Sequence, residues 1–194
     1  MARKPIKTKK EEIVDYWFSR VDESGLSIDA SEAHERCWRC GYEHSLERCH
    51  IIPDSLGGED EPSNLVLLCR RCHLDNPNVT DPQIMWDWIR SYEVPFYDTF
   101  WSILGQHEYE FIYGRSLSEE LCALGVVEEK EIENTIKSIM DELMKEASYH
   151  FGHSYLNTAT IAGLYRMLLK RLANQFCKEL LPEKAVSKNP WWCR

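Results

Sequence analysis

A chain of 194 residues, 43% hydrophobic and 28% charged, can bury a core as one full domain or two small modules, and it excludes wholesale disorder, a collagen-like fibre and a large multidomain machine. No window offers about 18 uninterrupted apolar residues, and the start, Met1 to Pro5, leads into more charge instead of an apolar signal region; the expectation is a soluble, cytoplasmic protein with no membrane partner. Lysine and arginine total 23 against 32 acids, a net charge of −9, which argues against a phosphate-bearing partner unless a local surface is basic.

In chain order, Arg3, Lys4, Lys7, Lys9 and Lys10 form a basic arm without an acid, and Glu11, Glu12 and Asp15 around Ile13, Val14, Trp17 and Phe18 open a short amphipathic helix. A polar passage from Asp22 to Ser31 follows. Cys37 to His73 then holds five cysteines and three histidines in under forty residues. Asn76-Pro77 stops any helix begun near Cys69, and Asp81-Pro82 supplies an N-cap and N1 proline for a new one through Trp86, Trp88 and Ile89. Ser116 and Glu119 form a capping box, with Gly125 as the stop. Ile132, Ile136, Ile139, Met140, Leu143 and Ala147 recur at spacings of three and four, the clearest helical stripe in the chain. A last helix spans roughly 158 to 181, with Ile161, Leu164, Leu168, Leu172 and Phe176 facing inward and Pro182 ending it. Three segments result: arm and first helix over 1–36, the cysteine-rich module over 37–80, and a helical domain over 81–194.

Cys37-Trp-Arg-Cys40-Gly41 and Cys69-Arg-Arg-Cys72 each let one tight turn aim two thiols at a single ion, and two such turns complete a tetrahedral four-sulfur site. A redox pair would be expected beside a βαβ pattern, which is absent. Eight cysteines in this arrangement therefore point to a reducing compartment and to structural zinc on Cys37, Cys40, Cys69 and Cys72. Four thiolates leave no open position, so that ion staples a module and does no chemistry.

Between the knuckles run Cys49-His50-Ile51-Ile52-Pro53, a loop with Gly57-Gly58, and Asn64-Leu65-Val66-Leu67-Leu68, and the second knuckle ends in Cys72-His73. Two short apolar runs flank a polar loop and a helix follows, which reads as a β-hairpin plus helix. These residues, in this order over roughly Cys37 to Pro77, resemble the HNH endonucleases of the ββα-metal fold, in the subgroup with a four-cysteine zinc site. The fold expected is α+β: a small ββα-metal finger with that four-cysteine zinc site, flanked by a mainly α-helical body.

The resemblance implies that His50 is the general base, Asn64 the central asparagine and His73 a ligand of a catalytic divalent metal. Imidazole, with an ordinary pKa of ~6.5, suits proton acceptance near neutral pH. A divalent ion suits charge on a phosphoryl and a leaving oxygen, and an amide at the far end of the loop suits orientation of the imidazole. One residue departs from the family pattern: the position before the general base is commonly Asp, Glu or His and ligates the metal, and here it is Cys49. A thiolate is a poor partner for Mg2+, so either the ion is Zn2+, Mn2+ or Ni2+, or another side chain substitutes. The histidine that some members carry one turn beyond His73 falls here at Pro77.

Arg70 and Arg71, between the knuckle cysteines, are candidates to grip a phosphate of DNA, and the lysines of the arm are candidates for backbone contact or simply a solvated tail. His150 and His153, at a spacing of i, i+3 that could put both on one helix face, read as structural or surface residues; His34, His44 and His107 have no ligand-like company, though His44 lies near the finger; Cys122 and Cys177 read as core thiols, and Cys193 has no assigned role. The aromatic string Trp86, Trp88, Tyr92, Phe96, Tyr97, Phe100 and Trp101 reads as packing ahead of base stacking. A finger of this family enters the minor groove, so only its own surface must be positive. The net −9 then predicts weak intrinsic affinity, with a homodimer or larger protein partner on the helical half, along the stripe from Ile132 to Ala147, supplying further grip. The function implied is a metal-dependent DNA endonuclease leaving 3′-hydroxyl and 5′-phosphate ends, in a restriction or phage-defence setting. Its rival is a zinc-stabilised nucleic-acid-binding or adaptor module with an inactive site.

Overall fold

The structure, a computed structural model, describes residues 5–21, 25–91, 96–126 and 130–181. Arg3, Lys4, Tyr92, Pro182 and Cys193 lie outside these residues, as do the side chains of residues 130 and 131. Helices and a two-stranded antiparallel sheet make an α+β fold, and the chain divides into two compact units, Met1–Phe100 and Trp101–Arg194. Among the described residues no helix is long and apolar enough to cross a membrane.

In the first unit, α1 (Lys10–Phe18) starts where Glu12 Oε2 accepts the Lys9 N–H at 2.7 Å. Strand β1 (Leu46–His50) pairs with β2 (Leu65–Cys69) in the register Glu47↔Leu68, Cys49↔Val66 and His50↔Leu65. All of β2 is buried, as expected of a strand read as a continuous apolar run and covered on both faces. Each of Leu65, Leu67 and Leu68, fully buried, stabilises the unit by roughly 1.5–3 kcal/mol. Helix α2 (Arg70–Asp75) follows β2 without a loop, because Cys69 is both the last strand residue and the N-cap, its sulfur accepting from Cys72 N.

Helix α3 (Pro82–Arg90) opens as expected, Asp81 Oδ1 accepting from Gln83 N at 3.0 Å ahead of Pro82. It shares the first unit with the hairpin: Trp86 meets Trp17 edge-on at 4.6 Å, and the buried Arg39 guanidinium lies 3.7 Å over the Trp88 ring. Trp17 in turn donates its indole N–H to the Leu65 carbonyl at 2.8 Å. The aromatic string thus splits by burial, with Trp86, Phe100 and Trp101 inside and Phe96 exposed.

The second unit contains helices α4 (Phe100–Tyr113), α5 (Leu117–Ala123), α6 (Lys130–Leu143) and α7 (Thr158–Gln175). The Ser116 and Glu119 capping box forms in both directions, at 3.2 and 2.8 Å, and Gly125 ends α5 at a φ of +66° that favours glycine. Tyr109, Leu143, Leu164, Leu168, Leu169 and Leu172 form the core, with Ile136, Ile139, Met140 and Ala147 packed on it. Most of the stripe expected as a partner surface, from Ile136 to Ala147, is therefore partly buried against the protein's own core. Glu120, buried, faces Arg166 at 3.4 Å and Arg115 at 3.9 Å.

Helix α7 stops at Gln175, short of the expected 181. Cys177 adopts a φ of +52°, and the Lys178 N–H returns to Ala173 O at 2.8 Å, a left-handed ending normally made with glycine. With no glycine at that place, the sequence pointed to Pro182 instead. Phe176, expected inside, is the C-cap and is exposed, and Cys122 and Cys177, expected as core thiols, are exposed too.

Candidate metal and hairpin site

The first knuckle is a tight turn in which Gly41, at a φ of +70°, donates to Cys37 O at 2.9 Å. It is tied to the hairpin by Trp38 N–H to Leu67 O at 3.2 Å. The second knuckle is the junction of β2 and α2. Together they bring Cys37, Cys40, Cys69 and Cys72, all buried, to where their sulfurs lie within 4.8 Å of one another. The Cys40 and Cys69 sulfurs are 3.9 Å apart, close to the edge of about 3.8 Å that a tetrahedron with metal–sulfur bonds near 2.3 Å has, and far beyond the 2.0–2.1 Å of a disulfide. The donor set fits a metal ion such as zinc. Hydrogen bonding among the sulfurs, with Cys37 first, holds the Cys69 thiol well below the ordinary range and pushes Cys40 and Cys72 above it.

His50 ends β1 opposite Leu65. Immediately beyond it, Ile51 N–H donates to Asn64 O at 2.8 Å. The Asn64 side chain then takes hold of the same segment: Oδ1 accepts from Ile52 N at 2.9 Å, and Nδ2 donates to Ile52 O and to Glu59 O, each at 3.0 Å. The loop needs glycine here, since a Cβ on Gly58 would sit 1.7 Å from Ile52 O and 2.7 Å from Asn64 Nδ2.

The described part of the basic arm is pinned, not free. Asp60 on the same loop accepts Lys7 N–H at 2.6 Å and Thr8 N–H at 3.2 Å, and Arg48 on β1 donates to Thr8 O at 2.9 Å. Thr8 is buried, with Lys7 and Lys9 on either side of it. The backbone N–H of Lys7, then the Thr8 donors, hold the Asp60 carboxyl below its ordinary value.

On α2, His73 meets a residue that the sequence reading did not single out: Glu47 of β1, whose Oε2 lies 2.7 Å from His73 Nδ1. The other oxygen of Glu47 faces Arg70 at 3.4 Å. Arg70 is mostly exposed and Arg71 half-buried. Cys49 is 1% exposed, its thiol donating to His50 O at 3.6 Å, and burial pushes it up to about 12. Among the described residues, the four knuckle cysteines form the one group of three or more His, Cys, Asp or Glu with ligand atoms gathered within that 4.8 Å span. Glu47 was legible in principle: side chains two apart share a strand face, so Glu47 stands beside position 49, and the register sets it opposite Leu68, just ahead of α2.

His150 and His153 lie in a loop instead of on a helix, 5.5 Å ring to ring, with His153 stacked on Tyr155.

Compared with known proteins, residues 35–78, a span that includes both knuckles and the hairpin, match the family model described as HNH endonuclease. No curated protein and no solved structure matches the chain.

Proposed function

We propose that residues 35–78 are the catalytic module of a metal-dependent endonuclease that hydrolyses phosphodiester bonds in DNA, stapled by zinc on Cys37, Cys40, Cys69 and Cys72. The observation that carries this reading is the two-way hydrogen bonding between Asn64 and Ile52, two residues past His50. An amide spent on fixing the segment that follows an imidazole is what general-base catalysis asks for, because an orientation error of about 1 Å costs on the order of 100-fold in rate.

In this mechanism His50 accepts a proton from water as the water oxygen bonds to phosphorus, the bond to the 3′-oxygen breaks, and that oxygen takes a proton from solvent, leaving 3′-hydroxyl and 5′-phosphate ends. Asn64 acts on orientation and carries no proton. His73 would hold a divalent ion, and that ion would supply polarisation of the phosphoryl oxygen and stabilisation of charge on the leaving oxygen. Arg70 and Arg71 meet backbone phosphates, and the pinned lysines Lys7 and Lys9 add contacts beside the hairpin.

The test is cleavage of supercoiled plasmid, single-stranded DNA and RNA by the zinc-loaded chain, with Mg2+, Mn2+, Ni2+ or further Zn2+ added. Ion-dependent nicking of DNA is expected. Tight DNA binding without cleavage under any ion would favour the adaptor reading instead.

A further inference from the structure

The position where related fingers carry an ionic metal ligand is Cys49, which is buried and spends its thiol on the His50 carbonyl. A soft sulfur donor also suits hard divalent ions poorly. One strand step away, on the same face by the two-residue alternation, stands Glu47. Its carboxylate lies 2.7 Å from His73 Nδ1, with both side chains about one-third exposed and so open to solvent. Two ligands at neighbouring corners of an octahedral ion, each near 2.1 Å from it, are separated by about 3 Å. The pair needs to open by only a few tenths of an ångström.

We propose that Glu47 and His73 form a mixed oxygen and nitrogen site for a hard divalent cation such as Mn2+ or Mg2+, with Glu47 taking the role that residue 49 has lost. Two elements set the pair. The β1–β2 register holds Glu47 against the end of β2, and α2, starting without a loop, presents Arg70 and His73 on one face at i, i+3. Arg70, 76% exposed, faces the second carboxylate oxygen at 3.4 Å and is screened by solvent, so it can yield that oxygen to the ion or to a phosphate. Binding would replace the contact between Nδ1 and Oε2 by a bond from each atom to the cation, with the neutral ring carrying its one proton on Nε2.

This inference rests on the reading of His73 as an ion ligand, and its test separates the two. Mn2+ uptake by the zinc-loaded full chain is followed through the electron paramagnetic resonance of free Mn2+, for the parent, Glu47→Gln, His73→Ala and Cys49→Ser. The parent should bind one Mn2+, Glu47→Gln and His73→Ala should weaken it at least 10-fold, and Cys49→Ser should stay within threefold. Glutamine keeps a hydrogen-bond acceptor for His73, so parent-like uptake by Glu47→Gln would reduce Glu47 to orienting the ring and overturn the proposal. Loss of uptake in Cys49→Ser, or no uptake by the parent, would overturn it as well. On the parent alone, Mn2+ should broaden the Glu47 carboxyl carbon and the His73 ring signals first, a readout independent of how the variants fold. Uptake that depends on Glu47 but brings no cleavage of any nucleic acid leaves this site standing and removes the nuclease reading.

Discussion

Asn64 and Ile52 hydrogen-bond to each other in both directions across the loop, the side-chain amide acting as donor and acceptor to one residue's backbone. Asn64→Ala strips partners from that backbone and from Glu59 O. It should cost about 1–3 kcal/mol in a denaturant titration and, through the loosened segment after His50, on the order of 10–100-fold in cleavage. Asn64→Asp keeps one acceptor but faces two carbonyl oxygens with a carboxylate, and should fall at least as far. Unchanged zinc content with lost activity is the expected pattern.

Gly58→Ala tests the close approach in the same loop. Its Cβ would lie 1.7 Å from a backbone oxygen, so the loop must move, and both stability and cleavage should fall. Gly57→Ala meets open space but keeps a φ of +93°, and should cost only about 1 kcal/mol. Equal melting temperatures for the two variants would contradict this account of the loop.

Removal of the knuckle ion should collapse the hairpin base. Structural zinc contributes roughly 10–16 kcal/mol in small zinc-dependent modules, and Trp38, fully buried between two of the cysteines, reports its loss as a red shift in fluorescence on chelation. Zinc binds thiolates, so it must displace thiol protons as it binds, and its affinity should drop as pH falls. One zinc per chain is expected, and none in Cys72→Ala.

The arm clamp has a pH signature. Asp60 is held below the ordinary aspartate value of 3.8, chiefly by Lys7 N–H. A carboxyl depressed on folding contributes stability that is fully present above the ordinary value and is lost as pH falls through the lower, folded-state one. The amide signals of Lys7 and Thr8 should therefore hold at pH 5 and move together only on further acidification. In Asp60→Asn they should be unprotected at neutral pH.

The sequence disclosed the parts whose chemistry is local. Two Cys-x-x-Cys turns, a capping box at Ser116 and a capped proline start at Asp81 each specify their own structure within four residues. What it hid depends on pairing or on an atypical ending. Glu47 becomes significant only once β1 begins at Leu46, ahead of the apolar run, and the register carries it to α2. The end of α7 is a left-handed cysteine where glycine is usual. Asp60 looked like one acid in a polar loop, and its grip on the arm spans more than fifty residues of sequence. The stripe is helical from Ile132 to Leu143, with Ala147 extended beyond a short turn, but amphipathicity alone does not say whether the covering face comes from the same chain or another.

The most direct test of the central claim is plasmid cleavage by His50→Ala, with zinc content and near-ultraviolet circular dichroism matched to the parent. The account predicts a folded, zinc-loaded protein whose divalent-ion-dependent cleavage is lost, since water then has no imidazole to receive its proton. Cleavage at the parent rate by that variant would contradict it.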